Sequence, residues 1–119
     1  MVDTATALKA FYESFDLPAY TTDNVPDDIE MPYLTYSFVD ADWDQPMTHY
    51  CMIYMRTRRN IELLTKAKEI KDAIGTGKII PCGNGYIVLH YENSELMTDG
   101  NDPDVRSVYI NMQIDILHN

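Results

Sequence analysis

His49 and Cys51 stand two residues apart in an apolar, tyrosine-rich stretch. On an extended strand that spacing puts both side chains on one face, a permissible half of a zinc site. A closed tetrahedral site needs a second pair of donors. Cys82, His90 and His118 remain, and none has a paired spacing. The expectation is a buried cysteine beside a polar strand histidine, with no metal.

Nucleophilic catalysis needs a Cys or Ser beside a base that a third group orients. Cys82 adjoins Gly83-Asn84-Gly85, with no histidine close in sequence. The acids Asp27, Asp28 and Glu30 are near enough to suggest an acid/base pair. They lie between Pro26 and Pro32, with no apolar pocket evident, so a solvated elbow is expected. Gly83-Asn84-Gly85 lacks the lysine and following helix of a phosphate loop and reads as a hairpin turn. The sequence thus predicts no catalytic residue and no cofactor.

Periodicity supplies the elements. Leu8, Phe11, Tyr12 and Phe15 follow the i, i+3, i+4, i+7 stripe of a helix over 4–15, capped by Asp3 or Thr4 and ended by Pro18. Proline lacks an N–H and has a fixed φ, so Pro26 and Pro32 carry the chain across a rigid acidic elbow into a strand at Tyr33. Leu34, Tyr36 and Phe38 then alternate with Tyr33, Thr35 and Ser37. After the acidic loop Asp40–Pro46, Met47–Thr57 forms the second strand of a hairpin. Asn60 is expected to cap a helix over 60–74 with Leu63, Ala67, Ile70 and Ile74 inward, stopped by Gly75.

Lys78–Pro81 and Tyr86–Tyr91 flank the glycine turn. The polar segment 93–104 reads as a mobile loop. Val108, Ile110, Met112, Ile114 and Ile116 make the strongest strand, alternating with polar neighbours. The order is helix, two strands, helix, about three strands. It predicts one α+β domain over 1–119, a mainly antiparallel sheet with both helices on one face.

Charge is segregated. Residues 1–46 hold ten acids against Lys9, a net of −9. Residues 47–80 hold seven cations against three acids, a net of +4, and 81–119 hold six acids against Arg106, a net of −5. The total of −10 argues against binding nucleic acid or an anionic membrane surface. No basic segment followed by an apolar one succeeds Met1, so no secretory signal is expected. Cys51 and Cys82 are expected to be free thiols.

The candidate contacts with a partner are the cations Arg58 and Arg59, the elbow acids Asp27, Asp28 and Glu30, and the loop acids Asp40, Asp42 and Asp44. Trp43, the single tryptophan, sits among the loop acids, either folded back over its own hairpin or as an anchor inserted into a partner. Opposite-charge contact would set Arg58 and Arg59 against the 23–30 elbow or the 40–44 loop of a neighbouring copy. Tyr50, Met52 and Tyr54 on one face of their strand, and Cys51, Ile53 and Met55 on the other, suit a sheet that packs on something outside the domain.

Leu8–Phe15, Leu17-Pro18-Ala19-Tyr20, Val25-Pro-Asp-Asp, Met31-Pro-Tyr-Leu-Thr-Tyr36, Ile70-Lys-Asp-Ala-Ile-Gly75 and Arg106–Ile114 together resemble the tail terminator (tail completion) proteins of long-tailed phages and prophages. The resemblance implies an α+β subunit of a hexameric ring that caps the tail tube and joins it to the head connector or stopper protein. It implies no catalytic residues, assembly in the host cytoplasm, and a place at the tail–head junction of the virion. Two other classes stay open, another neck or minor capsid structural protein and an acidic DNA-mimic inhibitor. A small enzyme is a third.

Overall fold

A computed structural model describes residues 3–37, 47–83, 85–98 and 100–118. Its elements are α1 (Thr4–Glu13), β1 (Ala19–Thr21), β2 (Tyr33–Tyr36), β3 (Met47–Arg56), α2 (Asn60–Ile74), β4 (Lys78–Cys82), β5 (Gly85–Thr98) and β6 (Val105–His118). Among the described residues they form one six-stranded sheet in the order β1-β2-β3-β6-β5-β4. Only the β1–β2 pairing is parallel. The fold is α+β.

The alternation in β6 does what its sequence dictates. Val108, Ile110, Met112, Ile114 and Ile116 are buried on the helix side. Ile114 pairs with Met47 of β3 and Leu89 of β5, which puts it mid-sheet. From above, α2 lowers Leu63, Ala67, Ile70 and Ile74 onto this face. Helix α1 adds Leu8 and Tyr12, whose ring stacks on Tyr36 at 4.8 Å. Both helices therefore share one side of the sheet, and Phe11 packs half-buried against the same core.

Asp3 caps α1, its Oδ1 accepting from the Thr6 N–H at 2.7 Å. The helix stops at Glu13, two residues before the expected end. Asp16 turns the chain at φ 61, a left-handed conformation that Asp tolerates, so Pro18 is not the terminator. At α2 the N-cap is Arg59, without a side-chain cap bond. Asn60 is the first helical residue, and its Oδ1 instead accepts from Arg106 Nη1 at 2.6 Å.

Gly75 ends α2 at φ 58. A Cβ there would meet the Asp72 carbonyl oxygen at 3.7 Å, an ordinary contact, so the constraint is purely backbone. Gly75→Ala is expected to lower stability by about 1–2 kcal/mol in chemical denaturation, the cost of a left-handed L-residue. Gly75→Asn should lose about as much, because ψ −131 lies outside the left-handed helical region that Asn tolerates.

Two expectations are corrected. Residues 93–98 are not loop. Strand β5 continues through a bulge at Tyr91/Asn93 and pairs with β6 from Asn93↔Asn111 to Thr98↔Arg106. The ladder satisfies the backbone whatever the exposed side chains are. The remaining turn is tied down, since Arg56 Nη1 holds Asp102 Oδ2 at 2.9 Å and the Thr57 N–H donates to the Asp104 carbonyl at 2.6 Å. Strand β1 was unforeseen. Its three residues lie parallel to β2, with Ala19 buried.

Candidate functional site

The half-site of the sequence proves to be the middle of a buried hydrogen-bond chain. His49 and Cys51 do share the helix-side face of β3, both fully buried. His49 Nδ1 lies 2.7 Å from Ser37 Oγ, and Nε2 lies 2.7 Å from Tyr12 Oη. Ser37 Oγ accepts the Tyr50 N–H at 3.1 Å, so its own proton is free for Nδ1. Nε2–H then donates to Tyr12 Oη, whose proton points to Met112 Sδ at 3.9 Å. One direction of donation satisfies every member of the chain. It clamps α1 to β2, β3 and β6.

A serine on a histidine suggests a nucleophile, but both imidazole nitrogens are committed here. Burial lowers the His49 pKa to about 4, pushes the Cys51 thiol far above the thiolate range, and raises Tyr12. None of these groups is poised to gain or lose a proton near neutral pH. Cys82 is buried too, its Sγ 3.7 Å from Thr4 Oγ1, and both cysteines are free. His90 Nε2 faces Asp115 Oδ2 at 3.4 Å. Among the described residues, no three His, Cys, Asp or Glu side chains gather in metal-binding geometry.

The surface candidates fall in three places. Asp27, Asp28 and Glu30 are exposed on the elbow between β1 and β2. Arg58 forms an ion pair with Asp104 of its own chain, beside the Arg56–Asp102 pair. Hydrogen bonding from Arg56 is the main cause holding the Asp102 carboxyl below its usual range. Arg58 is thus engaged within the subunit, while Arg59 is exposed at the start of α2. Trp43, Asp40, Asp42 and Asp44 lie outside the described residues.

The sheet face away from the helices carries two tyrosine stacks, Tyr33 on Tyr54 at 4.9 Å and Tyr50 on Tyr109 at 5.3 Å. Near the first, Met31, Met52 and Met97 line a shallow hollow of about 380 Å³. Buried Thr35 Oγ1, Asn111 Oδ1 and Asp115 Oδ1 have no hydrogen-bond partner within the described chain. The alternation Tyr50, Met52, Tyr54 was the sequence signal for this face. Its pairing with Tyr33 and Tyr109 needed the register.

On the helix side, a cleft of about 230 Å³ opens between α2 and β5. Leu64, Ala67, Lys68, Lys71 and Asp72 of α2 line it with Tyr91 and Ser94 of β5, over Ile110. Lys71 Nζ sits 5.0 Å from the Tyr91 ring centroid, and Lys68 pairs with Asp72 at 2.9 Å. Leu64 is 47% exposed and Ile61 71%. Strand β4 begins at Lys78, opposite Leu89, so β4 does not cover the edge of β5 beyond Leu89. Tyr91 follows the alternation Ile87, Leu89, Tyr91, but Ser94 joins it on this face only through the bulge, so the sequence did not announce the cleft.

No protein-family model matches the chain, and no curated protein matches it. In fold it is similar to a chain of a solved structure described as the virion of a native gene transfer agent particle. The TM-score is 0.66 at 14% identity, with 94% of this chain and 96% of that one covered. At that identity the likeness is one of fold.

Proposed function

We propose that this chain is a structural subunit of a phage-like particle, of the tail-terminator kind. It forms a ring, taken as a hexamer, that caps the tail tube and joins it to the head connector or stopper protein. The observation that carries this reading is the fold shared over nearly the full length of both chains with a virion component. The surfaces support it. A tyrosine- and methionine-rich sheet face that no described helix covers, with polar atoms lacking hydrogen-bond partners among the described residues, suits burial against another subunit. A net charge of −10 keeps such a subunit from adhering to DNA that passes it, since like charges repel. In this reading the role is assembly rather than catalysis. The subunit assembles in the host cytoplasm and ends at the tail–head junction.

The test is the mass of the protein in solution, alone and mixed with the tail-tube protein of the same particle. The expected result is a closed oligomer of one size that associates with tube. Binding to head connector without tube would favour another neck protein. Binding to a DNA-processing enzyme, with no self-association, would favour a DNA mimic.

Because Arg58 already holds Asp104, Arg58→Glu with Arg59→Glu is expected to weaken assembly only modestly and to leave the monomer folded. Sedimentation of both forms checks this. Complete loss of the oligomer would put these arginines at the centre of the contact instead.

A further inference from the structure

We propose that the β4 edge of one copy seats in the methionine-lined hollow of the next. This rests on the self-assembly reading above and adds the two surfaces that meet.

Strand β4 is the outermost strand on its side of the sheet. The side chains it turns away from the helices, Ile79 and Pro81, are apolar and exposed, Ile79 by 60%. Register places Pro81, Tyr86 and Leu117 in one row across β4, β5 and β6, and the last two are exposed as well. Four exposed apolar side chains in one contiguous ridge mark a contact surface. Pro81 removes a donor from this edge, which disfavours strand addition and leaves the contact to side chains.

The hollow suits such a ridge. Met31, Met52 and Met97 line it with the stacked rings of Tyr33 and Tyr54, and no charged side chain enters its lining. Methionine is flexible and polarisable, so it moulds to an inserted apolar group. Charge at the two rims is complementary. The exposed acids Asp27, Asp28 and Glu30 lead up to Met31 and form no ion pair among the described residues. Lys78, the one charged residue lining the groove between α1 and β4, forms none there either. Arg56, opposite Val105 of the hollow, is neutralised by Asp102. Seating the ridge therefore brings an unpaired cation towards unpaired carboxylates.

One chain cannot make this contact with itself. Met97 pairs with Ser107, while Ile79 reaches Asp115 through Val88, eight residues further along β6. Strand geometry makes that separation roughly 27 Å. A second copy meets no such limit. The contact is heterologous, an edge of one copy in a hollow of the next, which is the kind of interface that closes rings.

Cysteine cross-linking tests the pairing. A chain carrying both Ile79→Cys and Met97→Cys is oxidised at a concentration where the wild type is assembled. The expected result is a covalent ladder on denaturing electrophoresis that ends at the size of the ring. A disulfide needs its Cα atoms within about 7 Å, so the two cannot join within one chain. The native Cys51 and Cys82 are buried, and each single variant should remain free of cross-links. Ile79→Glu and Met97→Glu, both at exposed positions, should each raise the concentration needed for assembly at least tenfold. Their far-ultraviolet circular dichroism should match the wild type. An assembled double-cysteine protein that gives no ladder overturns the inference. So does an Ile79→Glu protein that assembles like the wild type. A wild type that stays monomeric at every concentration overturns the self-assembly reading itself, a different outcome from an oligomer indifferent to these substitutions.

Discussion

Ile114→Ala is expected to lower the unfolding free energy by about 2–5 kcal/mol, the range for deleting a buried aliphatic side chain and leaving a cavity. Ile114 is fully buried, mid-sheet, between Met47 and Leu89 in register. Strands on both sides and the core above limit how far the site can collapse, so the cavity persists. Leu117, three residues on, is 52% exposed on the opposite side. Leu117→Ala should cost about 0.5 kcal/mol or less, as surface changes do. Urea titration of both variants measures the contrast. Equal losses would mean that the alternation of β6 has been assigned to the wrong faces.

The second large effect is a pH dependence centred on His49. Burial lowers its pKa from 6.5 in the unfolded chain to about 4 in the fold. The unfolded state therefore binds one more proton than the native state between those values. Stability from this source is fully present above the unfolded pKa and is lost as pH falls through the window towards 4. Integrated over the window, the loss is about 3 kcal/mol. His49→Gln keeps an amide that can bond both Tyr12 and Ser37 but does not titrate. The variant should lose less stability than the wild type between pH 6.5 and 4, with the two profiles separating only inside that interval. Parallel profiles would mean that His49 is solvated in the native state, and that the chain from Ser37 to Met112 does not form.

Local signals carried much of the fold. The period-two run from Val108 to Ile116 and the stripe Leu63, Ala67, Ile70, Ile74 gave β6 and α2, because burial on one face writes its period into the sequence. Gly75 gave the end of α2 because a left-handed residue there favours glycine. What stayed hidden depended on partners distant in the chain. Asn93–Thr98 looks like loop by composition, yet β6 supplies its ladder. Asn60 looks like a cap, yet Arg106, 46 residues away, takes its side chain. Arg58 looks free for a neighbour, yet Asp104, 46 residues away, engages it. Strand β1 leaves no mark, since three residues are too few for a period.

The site followed the same division. His49 and Cys51 were correctly placed on one face by their spacing. That the histidine is held by Tyr12 and Ser37 could not be read from them, because those partners are 37 and 12 residues away. The tyrosine-rich face was visible in Tyr50, Met52 and Tyr54. The cleft beside α2 was not, because it depends on a bulge that a single sequence does not announce.

Electron microscopy of tail tubes assembled with and without this protein tests the proposed role most directly. A subunit that caps the tube should appear as one ring at a single end of each tube, with none along the shaft, and should be absent from tubes formed without it. Bare tube ends in the presence of excess protein, or decoration along the whole shaft, would contradict a terminator role.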